Sequence, residues 1–282
     1  MTTTRQRLND HLHAFCNDTE AYLTGTPTGP LVAPMQCCSP SPVISPQSWH
    51  LDKGKSMSLQ TVTDDAPGTM LFPEYAELYD LIAREVTGLT DAQLDFRSDQ
   101  WAWADWSIRR QLSHMASLIY GWTIVRLGQT LFPDGNHGIE NIQSLTASGF
   151  DRRLDDRRYW DLPVILRTLQ DGIALIQRVL AQRSVDFLRS HTTERTVGEH
   201  WRLMQQAHPS GVTLDAESSK VVMTIEATLR HIYFEETTHL YNIQRLKRAQ
   251  GLSTVVAVPR VGYWALGGWD RSEPSSDAEP TP

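Results

Sequence analysis

The sequence has few cysteines, and their spacing suits neither a structural metal site nor a redox site. Only Cys16, Cys37 and Cys38 are present among 282 residues. Adjacent cysteines rarely bond to each other, because disulfide geometry requires separated Cα atoms. No CxxC pair is present, so neither a zinc ribbon nor a dithiol redox site is expected. This cysteine usage is typical of a reducing compartment, and we expect a cytoplasmic protein.

The sequence also lacks an excess of positive charge and any long apolar run. Its formal net charge is -7, whereas nucleic-acid binding requires a concentrated basic surface. No apolar run approaches the length of a membrane span, and the polar N-terminal stretch has no apolar core of a secretory signal. We therefore expect small-molecule partners and neither a nucleic-acid nor a membrane partner.

Residues 1–70 differ in composition from the rest of the chain. A short amphipathic stretch over residues 8–23 predicts a helix. Proline is then so frequent that regular structure is not expected over residues 24–70. We interpret residues 1–70 as an N-terminal extension, whose irregular arm crosses the domain surface, covers an active-site mouth or reaches a second subunit. The prolines of this arm include Pro27, Pro30, Pro34, Pro40, Pro42 and Pro46.

Four later segments repeat apolar residues at helical spacing. They are residues 73–86, 108–127, 162–183 and 219–250. Ser107 is a candidate N-cap, and Gly251 suits the position just after a helix end. Residues 254–258 are the one strong strand-like stretch, and residues 128–160 and 190–218 are expected to be mostly irregular.

This pattern predicts an all-α fold class, with a four-helix bundle and long decorated loops over residues 71–252. Residues 253–282 form a C-terminal extension, whose tail after Arg271 is expected to be disordered because it is rich in proline, serine and acidic residues.

The last predicted helix carries His231, Glu235 and His239 at intervals of four residues. Residues four apart lie on one helix face, about 5–6 Å apart at Cβ, so two of them can hold one metal ion. His231 and His239 are separated by roughly 12 Å along the axis, so all three cannot do so. The spacing therefore leaves two pairs open, His231 with Glu235 or Glu235 with His239. The apolar face of the helix favours the second pair, but it also contains Glu236. This residue pairs with an arginine, supports a metal ligand from behind, or is itself the carboxylate ligand in place of Glu235.

His114 is the strongest candidate for a third ligand. Of the ten histidines, only His114, His231 and His239 lie on long predicted helices. His114 lies beside an apolar face, where a histidine is either a metal ligand or a hydrogen-bonded core residue. Trp101, Trp103 and Trp106 precede this helix and either form a pocket wall or pack in the core.

The segments from Trp106 to Met115 and from Glu235 to Gln244 resemble the DinB/YfiT-like metalloenzyme superfamily. The resemblance covers about residues 71–250 and implies an antiparallel four-helix bundle with His114, Glu235 and His239 as metal ligands. The His, Glu, His set is similar to the mycothiol-dependent maleylpyruvate isomerase branch. Tyr241 departs from the HxxxHxE pattern of the ergothioneine-forming iron enzymes.

The resemblance implies a divalent metal, Zn²⁺ by preference, and a mycothiol-like low-molecular-weight thiol as cosubstrate. Two nitrogens and one carboxylate leave a fourth zinc position open, as in catalytic sites. The expected function is thiol S-transfer to a small molecule, such as an intermediate of antibiotic biosynthesis, with Arg109, Arg110 and Arg230 as candidate anion-binding residues. A hydrolase or isomerase is the alternative, with Glu236 or His231 as catalytic base, and a non-catalytic binding module is a third. A homodimer is compatible with such a bundle.

Overall fold

The computed structural model describes residues 62–146, 152–198, 200–215 and 217–274. The first sixty-one residues, with the three cysteines and most of the predicted arm, lie outside these ranges, as do residues 275–282 of the predicted tail. Within the described ranges, no helix combines the length and the apolar character needed to cross a membrane.

The described fold is rich in helix, as predicted. The helices are α1 Tyr75–Val86, α2 Asp91–Leu94, α3 Ile108–Tyr120, α4 Gly128–Leu131, α5 Ile142–Thr146, α6 Leu162–Gln182, α7 Val185–Ser190, α8 Trp201–Met204 and α9 Ile225–Ala249. Four of these helices are long: α1, α3, α6 and α9. Among them, α1 and α3 each contact both α6 and α9. Gly172 allows the close approach of α6 to α3, since a Cβ there would lie 3.2 Å from Cγ2 of Ile119.

The helix ends follow local chemistry that the sequence predicts. The Ser107 side chain accepts a hydrogen bond from the Arg110 backbone N–H at the start of α3. Gly251 adopts a φ of 70° after α9, and the Leu252 N–H donates to the Lys247 carbonyl at 2.9 Å. These caps fix where the site-bearing helices begin and end.

Helix α3 continues into π-helical turns over Gly121–Arg126 instead of remaining α-helical to residue 127 as predicted. The Leu127 N–H donates to the Trp122 carbonyl, five residues earlier, at 3.0 Å. Such turns are rare and often occur at functional sites. Trp122 lies within them, and its ring contacts that of His231 on α9.

A three-stranded antiparallel sheet is the main departure from the predicted all-α fold. It consists of β1 Thr192–Thr196, β2 Val212–Asp215 and β3 Lys220–Thr224, in the order β1-β3-β2. The predictions of an irregular segment at 190–218 and of a helix starting at residue 219 are therefore wrong. Val221 and Met223 are buried on one face of β3, an alternation that only a strand provides.

The prediction of a strand at residues 254–258 is also wrong. The N–H groups of Val255 and Val256 donate to the Glu85 carboxylate on α1 instead of a partner strand. The chain then runs along α9 to Tyr263, which is fully buried. Glu273, in the predicted disordered tail, accepts hydrogen bonds from Arg248. Part of the C-terminal extension is thus ordered against α9.

Candidate metal centre

Helices α3 and α9 bring His114, Glu235 and His239 together in the interior. All three are buried, and each offers one ligand atom, with these atoms within 4.8 Å of one another. The two imidazole centroids are 4.7 Å apart. This group, which we call the His–Glu–His group, could hold a metal ion.

Hydrogen bonds fix which nitrogen of each imidazole faces the centre. Nδ1 of His114 donates to the Arg152 carbonyl oxygen at 2.8 Å, and Nδ1 of His239 donates to Oε1 of Gln111. Because both partners are acceptors, each neutral ring keeps its lone pair on Nε2. Metal-binding histidines are usually oriented in this way. Burial, followed by the charges of His239 and Arg152, lowers the pKa of His114 well below its usual value, which favours the neutral form.

The unsatisfied atoms at the centre fit a divalent cation. Oε2 of Glu235 and Nε2 of His239 are buried and form no hydrogen bond within the described part of the chain. They are 3.6 Å apart, too far for a hydrogen bond. Two ligand atoms on a tetrahedral zinc would lie roughly 3.3 Å apart. Since unpaired buried polar atoms are costly, a divalent ion shared by the two atoms would satisfy both.

His231 is separated from the His–Glu–His group by its own hydrogen bond. Its Nδ1 lies 2.6 Å from the Tyr263 hydroxyl and 3.9 Å from Oε1 of Glu235. The same hydroxyl lies 3.0 Å from Nε2 of His208. Tyr263 reaches this position because Gly262 adopts a φ of 91° and lies where a Cβ would be 3.1 Å from a backbone atom of Phe234. Of the two pairs that the helical spacing left open, the structure therefore favours Glu235 with His239.

The three tryptophans that precede α3 have different surroundings. Trp106 is half-buried, lies edge-on to His114 with centroids 5.1 Å apart and stacks on His239 at 6.3 Å. Trp101 and Trp103 stack on each other, and Nε1 of Trp103 donates to Ser272 Oγ. Trp106 is thus the one of the three with contacts to the His–Glu–His group.

The arginines predicted to bind an anion are placed differently from one another. Arg109 is buried, and its guanidinium donates to Asp91, Asp95 and the Trp160 carbonyl. Arg230 donates to Glu226 and to the Ser210 carbonyl. These contacts tie both guanidinium groups to neighbouring side chains and backbone.

Arg110 is half-buried on α3, one turn before His114. It therefore lies on the same helix face as that histidine.

Glu236 lies in the core and is not part of the His–Glu–His group. Its side chain is fully buried, and neither carboxyl oxygen has a hydrogen-bond partner among the described residues. Burial, followed by the charge of Glu235, raises the pKa of Glu236 well above its usual value. A neutral carboxyl of this kind is a poor base, which weakens the catalytic role considered for it.

We predict that Glu236→Met stabilises the protein, by about 1–3 kcal/mol, because a buried carboxyl without partners is replaced by an apolar side chain. The midpoint of urea unfolding of the metal-free protein measures this change. Glu77→Met, on the exposed face of α1, is the matched control and should change stability by at most about 0.5 kcal/mol. A lower midpoint for Glu236→Met would show that the carboxyl has a stabilising partner.

Sequence reasoning missed several residues that support the site. Gln111 precedes His114 by three residues on the same helix face, so helical spacing alone could have found it. Arg152 and Tyr263 lie far from both helices in sequence, and no local pattern marks them.

Comparisons of the chain with protein-family models, with curated proteins and with solved structures find no match. The resemblance to the DinB/YfiT-like superfamily therefore depends on the motif residues alone.

Proposed function

We propose that this protein is a metal-dependent thiol S-transferase that joins a mycothiol-like thiol to an electrophilic small molecule. The observation that carries the proposal is the convergence of His114, Glu235 and His239 in the interior, with Nδ1 of both imidazoles already used. Two nitrogens and one carboxylate are the donor set of a catalytic zinc site with a remaining position for substrate.

The proposal includes an antiparallel four-helix bundle of the DinB/YfiT type. The pairing of α1 and α3 with α6 and α9 is consistent with such a bundle. The motif segments at Trp106 and Glu235 also fall on two of these long helices or at their start.

A bound Zn²⁺ would lower the pKa of a coordinating thiol, so that the nucleophilic thiolate exists at neutral pH. In the proposed reaction the S–H bond breaks, sulfur forms a C–S bond with the electrophilic carbon, and that carbon releases the group it carried. The thiol proton leaves with the group that the carbon releases, so the products are the thioether and the protonated leaving group.

Hydrolysis and isomerisation are the alternative proposals. In hydrolysis water takes the place of the thiol, and in isomerisation no group is added. Hydrolysis requires a general base. Glu236 is buried, and Nδ1 of His231 already contacts the Tyr263 hydroxyl, so neither side chain is well suited to act as this base. These features favour thiol transfer.

The zinc-loaded protein should form a thiol adduct when it is incubated with an electrophile such as monobromobimane and with mycothiol, bacillithiol or glutathione. Mass spectrometry of the products measures the adduct, and the uncatalysed rate is subtracted with protein treated with a chelator. His114→Ala should reduce the rate to that background, because a ligand is lost. Addition of water without any thiol requirement would contradict the proposal and favour hydrolysis.

A further inference from the structure

Three arginines from separate parts of the chain lie on the side of the site where His231 is buried. Arg126 ends the π-helical turns after α3, and its guanidinium carbon lies 4.8 Å from the Trp122 ring centroid. Arg195 in β1 lies 5.7 Å from the same ring and 5.1 Å from the Trp201 ring. Arg152 contacts the His–Glu–His group through its backbone, because its carbonyl oxygen accepts the hydrogen bond from Nδ1 of His114.

Only one aromatic layer separates two of these guanidinium groups from the interior. The Trp122 and Trp201 rings contact the His231 ring, with centroids 4.9 and 5.1 Å apart. All three arginines are half-buried, so their charges lie between solvent and the centre. A guanidinium that lies over an indole ring can still bind a carboxylate or a phosphate with two hydrogen bonds from its N–H groups.

Three positively charged side chains lie on this side of the site, although the formal net charge of the whole chain is -7. The charges of Arg195, Arg126 and Arg152 lie close enough to His231 to act on its imidazole. Arg152 also adopts a φ of 52°, in the left-handed region that few non-glycine residues occupy. Each of the three takes part in a further interaction, so it is the position of three charges, and not an unpaired group, that defines the subsite.

We propose that Arg126, Arg152 and Arg195 form an anion subsite beside the His–Glu–His group, and that the electrophilic substrate carries a carboxylate or a phosphate. The identification of the bound anion as the substrate rests on the proposed function. A cleft with charge of one sign raises the local concentration of oppositely charged ligands. The arginines would hold the anionic end of the substrate while its electrophilic carbon faces the centre.

Isothermal titration calorimetry of the zinc-loaded full chain tests the subsite with succinate, inorganic phosphate and neutral succinamide as probes. Succinate or phosphate should bind and succinamide should not, and the tighter of the two anions identifies the group that is recognised. Arg126→Gln and Arg195→Gln should each weaken anion binding about tenfold, as expected for the loss of a charged hydrogen bond. Arg84→Gln, an exposed residue of α1, is the matched control and should bind as the parent does.

Arg195→Lys keeps the charge and should retain part of the affinity, which separates anion binding from a general loss of folding. Equal affinity for succinamide, or unchanged affinity in both glutamine variants, would overturn the subsite. If the parent protein transfers thiol but binds neither anion, only the subsite fails. If it binds an anion through these arginines but neither retains zinc nor transfers thiol, the subsite stands and the proposed function fails.

Discussion

His239→Ala should abolish zinc retention, whereas His231→Ala should leave most of the zinc bound. His239 belongs to the His–Glu–His group, and its Nε2 is buried without another partner among the described residues. Nδ1 of His231 is instead bonded to Tyr263. Elemental analysis after gel filtration in the presence of a weak chelator measures the difference.

A variant of Gln111 tests how the ligand is oriented. Gln111→Leu removes the acceptor for Nδ1 of His239, and loss of such a partner typically weakens metal binding about 10–100-fold. The order of zinc affinity should therefore be parent, then Gln111→Leu, with His239→Ala far below both. Circular dichroism of the metal-free variants controls for misfolding. Equal zinc loss in His231→Ala and His239→Ala would contradict the choice of ligands.

The parts of the site that the sequence predicts are those governed by local geometry. Glu235 and His239 are one helical turn apart, so helical spacing makes them one of two possible pairs, and the apolar face of α9 favours this one. The N-cap Ser107 and the glycine at 251 are equally local, because each acts within a few residues of its helix end. The helix ends and the Glu235–His239 pair could therefore be predicted without a structure.

The remaining features depend on contacts between residues far apart in sequence. The three-stranded sheet pairs Arg195 with Val221, and neither short strand predicts its partner. Strand β3 directly precedes α9, and its five residues fall within the helix predicted over residues 219–250. Tyr263 contributes to the site only because the C-terminal segment returns along α9. Such contacts are decided by packing, which no single-segment pattern contains.

Removing one partner of the buried ion pair between α1 and α9 should cost more stability than any other substitution of a polar side chain considered. Lys247 donates to both a carboxylate oxygen and the backbone carbonyl of Glu85. The same carboxylate accepts from Gln244 and from the N–H groups of Val255 and Val256. Both charged side chains are almost fully buried. The pair thus joins two long helices and the C-terminal segment at one point.

Lys247→Met should destabilise the protein by about 3–5 kcal/mol, because it leaves a buried carboxylate without its counter-charge. The midpoint of urea unfolding at neutral pH measures the change. Lys220→Met, which removes an exposed pair with Glu194, is the matched control and should cost no more than about 1 kcal/mol. Adding Glu85→Gln to Lys247→Met should recover much of the loss, since no buried charge then remains unpaired.

The pH dependence of stability provides a second measurement on the same pair. Burial alone would raise the pKa of Glu85, but the hydrogen bonds from Lys247, Val256, Gln244 and Val255 outweigh it and lower the pKa below 4.5. A carboxylate with a lowered folded-state pKa stabilises the protein above its unfolded pKa, and this contribution is lost as the pH falls through the folded-state value. The parent should therefore lose stability below pH 4.5 more steeply than Glu85→Gln. Parallel acid dependence of the two unfolding midpoints would show that the carboxylate of Glu85 is not held ionised by this network.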